Sequence, residues 1–222
     1  MTDRLAPTGQ GRTSGSKGRS EKWKARRNQI VDVSAEVFAR QGYDATGMAE
    51  LSDLNGLGKG AFYHYIGSKE SLLVAIHDRV MDEVMLGADR VDATDDTPSQ
   101  KLRQLGAELL TTIYQYPDHV WVFLHEFRAL TGERANYFRT RRREYEARVE
   151  AILRAGIDTG EFRPVDPHLT ALAWLGMHNY TYLWLRTTPR TTARTIAEPF
   201  ADIFITGITT HTASPTRRKK KA

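Results

Sequence analysis

Apolar residues recur at helical spacing along most of the chain, and no run of useful length alternates apolar and polar residues as a strand would. Between Glu21 and Gln41, for example, Ile30, Val37 and Phe38 fall on one face of a helix, and Gly42 is a typical helix stop. Together with later segments of the same kind, the pattern predicts an all-α fold of roughly nine helices.

After this first helix, the sequence predicts two short helices and then a long one. Thr46 is a good N-cap for a helix through Leu54, and Asn55-Gly56 is a turn. Residues 59–65 form the next short helix, and Ser68 caps the long one. This order is that of a helix-turn-helix motif, in which the second short helix enters the major groove of DNA.

The second short helix has an unusual composition, GLGKGAFYHY at 56–65. Gly58 and Gly60 would let the backbone come close to another surface, which side chains would prevent. Lys59 supplies a positive charge at the start of the helix. These features favour contact with an external anion.

The aromatic residues of this segment could instead belong to the core of a helix-loop-helix corner. We expect burial for Phe62, Tyr65 and Ile66, because apolar positions at helical spacing are mostly core. For Tyr63 and His64, whose rings carry hydrogen-bonding atoms, we expect contact with a ligand at the exposed edge.

Charge is distributed unevenly along the chain. The net charge is +5, whereas residues 1–29 alone carry +6 and residues 214–222 carry +5, which leaves −6 for residues 30–213. Basic ends on an acidic body indicate that contact with a polyanion is local.

Residues 1–19 lack aromatic side chains and are predicted to be a disordered basic arm, with order beginning near Ser20. Residues 213–222 are predicted to be a disordered basic tail, for which a purely solubilising role is an equal alternative. The first helix also starts with cations, where the helix dipole favours anions. We therefore expect an anion to dock beside them, and from this group DNA contacts are assigned to Arg26 and Arg27.

Residues 27–76 resemble the DNA-binding domain of the TetR family of bacterial regulators. The shared signature is FARQGYDAT, then G-x-x-K-G-x-x-Y-x-Y, then SKESL. The resemblance implies a helix-turn-helix domain at 20–67 and a homodimer that binds a DNA palindrome in the bacterial cytoplasm, associated with the nucleoid. Carried over by position, it implies DNA contacts at Thr46, Gly47, Lys59, Gly60, Ala61, Tyr63, His64 and Lys69. Gly58 and Ala61 depart from the family, which usually has hydroxyl residues there, so the target sequence stays open.

The remainder, residues 68–212, is predicted to be a helical domain for effector binding and dimerisation. Thr97-Pro98 and Asp166-Pro167 are clear helix starts, and Gly160 is a stop. The predicted helices run over about 98–116, 117–132, 134–159, 167–188 and 191–211.

The last two predicted helices combine broad apolar stripes with small residues, which let helices approach closely. An ordinary core is the alternative, but the family implies a two-fold four-helix interface. The predicted interface residues are Ala173, Gly176, Ile196, Phe200, Ile203, Phe204 and Gly207.

Polar and aromatic residues in the middle helices suggest a pocket for a small ligand, since such pockets combine apolar walls with a few polar anchors. The alternative is an aromatic core with satisfied polar tips. The arginine run at 139–143 could meet phosphates of coenzyme A, or could lie on a solvated face that pairs with Glu144, Glu146 and Glu150. The predicted effector contacts are Trp121, His125, Arg142, His178, Asn179, Tyr180, Tyr182, Trp184 and Arg186.

A second, looser resemblance covers residues 145–184, which are similar to the C-terminal domain of TetR regulators that respond to acyl-CoA thioesters. The shared parts are V-x-x-I-L-x-x-G-x-x-x-G-E-F, an Asp-Pro cap and G-M-x-N-x-x-Y-x-W. The chain departs from that group after Trp184. The resemblance implies an acyl-CoA-type effector.

Other functions are disfavoured. The chain has no cysteine, which excludes disulfides and thiolate metal sites, and no apolar run approaches the ~20 residues that span a bilayer. His119 and His125 are six apart, not the three or four that share a helix face, so no metal or other cofactor is expected. No nucleophile elbow or phosphate-binding loop is present, which argues against an enzyme.

The sequence therefore predicts a transcriptional repressor that a small hydrophobic or acyl-CoA-type effector releases from DNA, with DNA, a second copy and the effector as partners and no membrane. The alternative is an architectural DNA-binding protein that needs no effector.

Overall fold

The computed structural model describes residues 14–185 and 192–210. These residues form nine α-helices and two short 3₁₀ helices at Glu126–Ala129 and Tyr180–Leu183; their one β-contact is an isolated bridge between Phe162 and Thr209. The all-α prediction is confirmed. The helices are α1 Ser14–Gln41, α2 Met48–Leu54, α3 Lys59–Ile66, α4 Lys69–Asp92, α5 Pro98–Gln115, α6 Pro117–His125, α7 Gly132–Asp158, α8 Pro167–Asn179 and α9 Ala193–Ile208.

The helices begin and end where local chemistry requires it. The Ser68 hydroxyl accepts a hydrogen bond from the main-chain N–H of Ser71 at 3.0 Å, which caps α4. Thr97 forms a capping box with Gln100 at the start of α5, and Asp166 caps α8. Since these signals are local, the sequence predicts them correctly.

Three predicted boundaries are wrong. α6 ends at His125, where a 3₁₀ helix follows, and not at Gly132. α1 begins at Ser14, not near Ser20, so the backbone of residues 14–19 is helical. α8 ends at Asn179 rather than near residue 188, because the chain continues as the 3₁₀ helix. The predictions for the rest of the basic arm and for the basic tail concern residues 1–13 and 211–222, which lie outside the described residues.

The chain divides into two compact units, Met1–Leu72 and Leu73–Ala222, and the division falls within α4. We call these the first unit and the second unit. The core of the first unit is built from apolar side chains of all its helices: Ile30, Phe38, Leu51, Phe62 and Leu72 are completely buried.

In the second unit, α5 packs against α6, α7, α8 and α9. Its apolar face is buried together with large side chains such as Phe138 and Trp174. Ion pairs at the surface also join α5 to α9. Arg103 of α5 binds Glu198 at 2.6 Å and Asp202 at 2.7 Å on α9.

The second unit also contains ion pairs between α4 and α7. Arg141 lies 3.4 Å from Asp78 and 2.8 Å from Asp82, and Arg148 lies 2.6 Å from Asp89 and 2.7 Å from Asp92. Two arginines seven residues apart on α7 thus each bind a pair of aspartates on α4.

Among the helices that the structure describes, none is both long and apolar enough to cross a membrane.

Candidate functional site

α3 has two different faces. Phe62 and Ile66 are buried, whereas Lys59, Gly60, Ala61 and His64 are exposed and Tyr63 is 38% exposed. The buried pair attaches the helix to the core of the first unit, as the sequence predicts. The exposed residues all belong to the predicted DNA-contact set.

The glycines at the start of α3 are not required by the fold. Gly58, the N-cap, has φ −68° and ψ 149°, which any residue adopts, and its side chain position is empty. A Cβ added to Gly60 would likewise meet nothing within 4 Å. Both positions would accept a side chain in the isolated molecule. An external surface could therefore approach the backbone closely at these two glycines.

An aromatic stack holds α3 against α1. The rings of Trp23 and Tyr65 are stacked with centroids 5.7 Å apart. Tyr65 is half-buried, so it is only partly the core residue that its spacing predicted. Trp23 was missed from the sequence, although an aromatic residue among cations is a recognisable signal.

Thr46 plays a different part from the predicted one. The N-cap of α2 is Gly47, one residue later, and it makes no side-chain cap. Thr46 is buried, and its hydroxyl donates to the main-chain oxygen of Gly42 at 2.8 Å. Its side chain therefore fixes the turn before α2, while the exposed Gly47 lies at the helix start.

The predicted basic contacts differ in how far they are engaged within the first unit. Arg26 donates to the main-chain oxygen of Asn55 at 2.7 Å and so joins α1 to the turn after α2. Lys69 donates to Asp44 O at 3.3 Å and lies 4.4 Å from the centre of the Tyr43 ring. Arg27 is half-buried.

The predicted effector residues do not converge on one site. Because α8 ends at Asn179 and a 3₁₀ helix follows, residues 176–185 are not on one α-helix. Trp121 stacks on His125 with centroids 4.4 Å apart, and the Tyr182 hydroxyl lies 3.0 Å from His125 Nε2. This cluster is near the surface, because His125 is exposed.

The other aromatic predictions are also spread out. Tyr180 and Trp184 are 63% and 44% exposed. His178 is a core residue: its Nδ1 lies 2.8 Å from Trp174 O, and a Cβ on Gly106 would approach its Nε2 to 2.6 Å. Burial lowers the pKa of His178 to about 4. Arg186 lies outside the described residues.

Arg142 and Asn179, in contrast, line a cavity of about 190 Å³ within the second unit. Helices α4 to α8 all contribute to its wall, which is mostly apolar. Tyr145 also lies on this wall but is not among the predicted effector contacts. It follows Arg142 by three residues on one predicted helix and therefore shares its face.

Within the arginine run on α7, Arg141 does not make the same-helix glutamate pairs that one alternative predicted. Arg141 pairs across to α4, not with Glu144, Glu146 or Glu150 on its own helix. Arg139 donates to Asn136 at 2.5 Å. The reason is tertiary: α4 presents aspartates at the matching spacing.

The predicted dimer residues differ in how exposed they are. Ala173, Gly176, Ile203 and Gly207 are exposed, and Ile203 is 69% exposed. Phe200 and Phe204 are half-buried, but Ile196 is buried within its own chain and has little surface left for a partner.

Glu146, Glu150 and His168 bring three metal-ligand atoms within 4.8 Å of one another. The His168 Nδ1 lies 2.9 Å from Glu150 and 3.1 Å from Glu146, and Arg154 binds Glu150 at 2.5 Å. The hydrogen bond to Glu150 raises the pKa of His168. Arg154 and the His168 ring thus hold the two carboxylates in one hydrogen-bonded network.

Comparison with known proteins gives two family matches. Residues 30–76 match the family "Bacterial regulatory proteins, tetR family", and residues 95–208 match "Tetracyclin repressor-like, C-terminal domain". The second match alone covers half of the chain.

Individual relatives are similar over most of their length. The HTH-type transcriptional repressor KstR2 of Rhodococcus jostii is 29% identical over 156 residues, which cover 68% of this chain and 71% of that protein. The ketosteroid transcriptional regulator KstR2 of Mycobacterium tuberculosis has a TM-score of 0.79 at 23% identity, over 84% of this chain and 96% of that one. AibR in complex with isovaleryl coenzyme A and operator DNA has a TM-score of 0.72 at 29% identity, over 80% and 97%.

The first family match covers the end of α1, all of α2 and α3 and the start of α4. The second covers the sequence from α5 to α9. With its helix-turn-helix in the first unit and an all-helical second unit, the chain belongs to the TetR family of bacterial transcriptional regulators.

Proposed function

We propose that this regulator is a repressor that binds a palindromic operator as a homodimer and is released when a small hydrophobic or acyl-CoA-type effector enters the cavity of the second unit. The observation that carries the proposal is the two-faced α3. Its buried residues anchor it, while Lys59, Tyr63 and His64 remain exposed.

The exposed face of α3 has the chemistry that duplex DNA requires. Lys59 offers three N–H donors to guanine acceptors or phosphate, and Tyr63 and His64 offer ring-borne hydrogen bonds. The small Gly60 and Ala61 let the helix backbone approach the groove closely. Gly47, Arg27 and Lys69 would then contact phosphates and set the register.

A homodimer is supported by apolar residues that the single chain leaves exposed on α8 and α9. Leu169, Leu172 and Ile203 are 62%, 44% and 69% exposed. Gly176 and Gly207 have open space where a Cβ would stand, so a partner helix could approach closely. Exposed apolar surface of this kind is typical of an interface, and two-fold homodimers are the commonest oligomers.

Effector control is supported by the continuity of α4. The helix carries Lys69 in its first turn, and further along Val80, Met81 and Val84 line the cavity. A ligand that displaces these wall residues would shift a stiff helix that also carries a phosphate contact. KstR2 relatives are named repressors, and AibR was solved with isovaleryl coenzyme A and operator DNA.

The DNA-binding part is tested by selecting bound duplexes from a random-sequence pool and measuring affinity for the enriched site by mobility shift. We expect a palindrome with half-sites about one helical turn apart. Lys59→Ala and Tyr63→Ala should each weaken specific binding about 10- to 100-fold, since a good base contact is worth about 1–3 kcal/mol.

Arg143→Ala, which removes an exposed cation from α7, is the control and should leave affinity unchanged. If no sequence is enriched and affinity depends steeply on salt alone, the protein is an architectural DNA binder and the proposal is wrong.

The dimer is tested by light scattering coupled to size-exclusion chromatography. Ile203→Lys should shift the mass from two chains to one, because it places a charge in the proposed interface. Leu86→Lys, at a 52% exposed leucine on α4, should remain dimeric. A wild-type protein that is monomeric at micromolar concentration would contradict the interface.

A further inference from the structure

We propose that the cavity of the second unit takes a short acyl group. The carboxylate or carbonyl oxygen of that group would be bound between Arg142 and Tyr145. The ligand would be a short-chain carboxylic acid, free or as a thioester. This inference rests on the proposed function and names the effector class for the same site.

Arg142 is a cation without a counter-ion. Its guanidinium lies 4.0 Å from the centre of the Phe123 ring and 4.5 Å from that of Phe127, and one terminal nitrogen donates to Phe123 O. Its Nε is buried without a hydrogen-bond partner, and no described residue forms an ion pair with it. Burial lowers the pKa of Arg142 to about 10, so the side chain stays charged at neutral pH.

Tyr145 supplies the second unused donor. Its side chain is 6% exposed and lines the cavity, and its buried hydroxyl has no hydrogen-bond partner. Burial, followed by the charge of Glu108, raises the pKa of Tyr145, so the phenol keeps its proton. A buried hydroxyl without a partner is costly, and an acceptor from a ligand would offset that cost.

The two donors can serve one oxygen-bearing group. Arg142 and Tyr145 are three residues apart on α7, so they share a face of the helix, and both line the same cavity. Glu146, the acidic residue on this wall, has its carboxylate 3.1 Å from His168. The two unused donors therefore favour an acceptor, above all a carboxylate, which guanidinium binds through two parallel hydrogen bonds.

The remaining wall limits the rest of the ligand. It is lined by aliphatic side chains such as Val80, Leu109, Val120 and Leu175, which suit a hydrocarbon body. An apolar cavity of about 150 Å³ holds one benzene. At about 190 Å³ this one holds about eight non-hydrogen atoms on the same scale. A sterol skeleton or a long acyl chain exceeds that volume, and the coenzyme A part of a thioester would remain outside.

Calorimetric titration of the full chain, without DNA, tests the inference. The probes are isovalerate and butyrate as free acids, isovaleryl-CoA as the short thioester, and palmitoyl-CoA and a 3-keto sterol as long or bulky ligands. We expect one short ligand per chain and no binding of the last two. Binding of the free acids identifies an anionic effector, whereas binding of isovaleryl-CoA alone identifies a thioester.

Variants test the two donors. Arg142→Met should weaken a free acid at least 30-fold and a thioester about 5-fold, because only the acid carries a charge at that oxygen. Tyr145→Phe should weaken either about 5-fold without lowering the melting temperature, since the lost hydroxyl has no partner in the empty protein. Arg143→Met should change nothing.

The inference is overturned if no short acid or thioester binds, if the long ligands bind as well as the short ones, or if Arg142→Met keeps full affinity. The proposed function fails separately. A short ligand that binds but leaves operator affinity unchanged refutes release and keeps this inference. Release by a sterol alone keeps the function and refutes the inference.

Discussion

The two units differ in how completely their buried polar groups are satisfied. In the first unit the buried Ser34, Thr46, Ser52 and Asn55 each donate to a main-chain oxygen within five residues, at 2.7 to 2.8 Å. In the second unit, Arg142, Tyr145 and His77 each have a buried atom without a hydrogen-bond partner.

This difference corresponds to two kinds of function. A unit whose polar groups are satisfied locally holds a rigid shape, and such a unit can present α3 to DNA without rearrangement. A unit that retains unused donors around a cavity is stabilised by whatever supplies the acceptor. On the function proposed above, the first unit acts on DNA and the second responds to the effector.

The largest expected effect is a loss of stability of the second unit at acid pH. Burial lowers the pKa of His77 and of His178 to about 4 from the ordinary 6.5, and both lie in the second unit. The unfolded chain therefore binds protons first as the pH falls. Stability should drop between about pH 6.5 and pH 4, by roughly 3 kcal/mol for each histidine.

Urea unfolding at a series of pH values measures this loss. Carboxylates in ion pairs also contribute at low pH, so the comparison is between the wild type and His77→Gln or His178→Gln. Each variant should lose less stability than the wild type over this range. Identical pH profiles would show that the two histidines are not held neutral by burial.

The next largest effect should be a difference in stability between two glycine-to-alanine variants, one in each unit. Gly106→Ala would bring a Cβ to 2.6 Å from His178 Nε2, and overpacking of this kind costs about 1–3 kcal/mol. Gly60→Ala meets nothing within 4 Å and should leave the melting temperature unchanged or raise it. It should nevertheless weaken operator binding, since the added methyl faces the groove.

Thermal unfolding and mobility shift on both variants provide the test. The contrast is broken if Gly60→Ala destabilises the protein as much as Gly106→Ala does, or if it binds the operator with wild-type affinity.

The smallest effect should come from the ion pairs between α4 and α7. Arg148→Ala removes contacts to Asp89 and Asp92, whose side chains are 59% and 48% exposed, so the loss should be about 1 kcal/mol and smaller in high salt. Arg40→Ala in the first unit breaks a pair with Glu36 that is more than 60% exposed on both sides and should cost almost nothing. Equal losses measured by urea unfolding would refute the difference.

Much of the first unit could be predicted from the sequence because its signals are local. Ser68 caps its own helix, and the spacing of Phe62 and Ile66 already separates the buried face of α3 from the exposed one. The exposure of Lys59 and Tyr63 follows from the same short segment.

The cavity could not be predicted in this way, because its wall is assembled from five helices that are distant in sequence. Polar and aromatic residues in 176–186 indicated a site, but α8 ends at Asn179, and Tyr180 and Trp184 are exposed. Arg142 was found as part of a charged run, and only packing shows that it, and not Arg141, lacks a carboxylate partner.

The stack of Trp23 on Tyr65 has a practical consequence. The chain has four tryptophans, and Trp121, Trp174 and Trp184 all belong to the second unit. A protein that keeps Trp23 alone would emit light from one place, the contact between α1 and α3. Its fluorescence intensity and emission wavelength would report changes at this contact in real time, without an added dye, while the operator or the effector is titrated in.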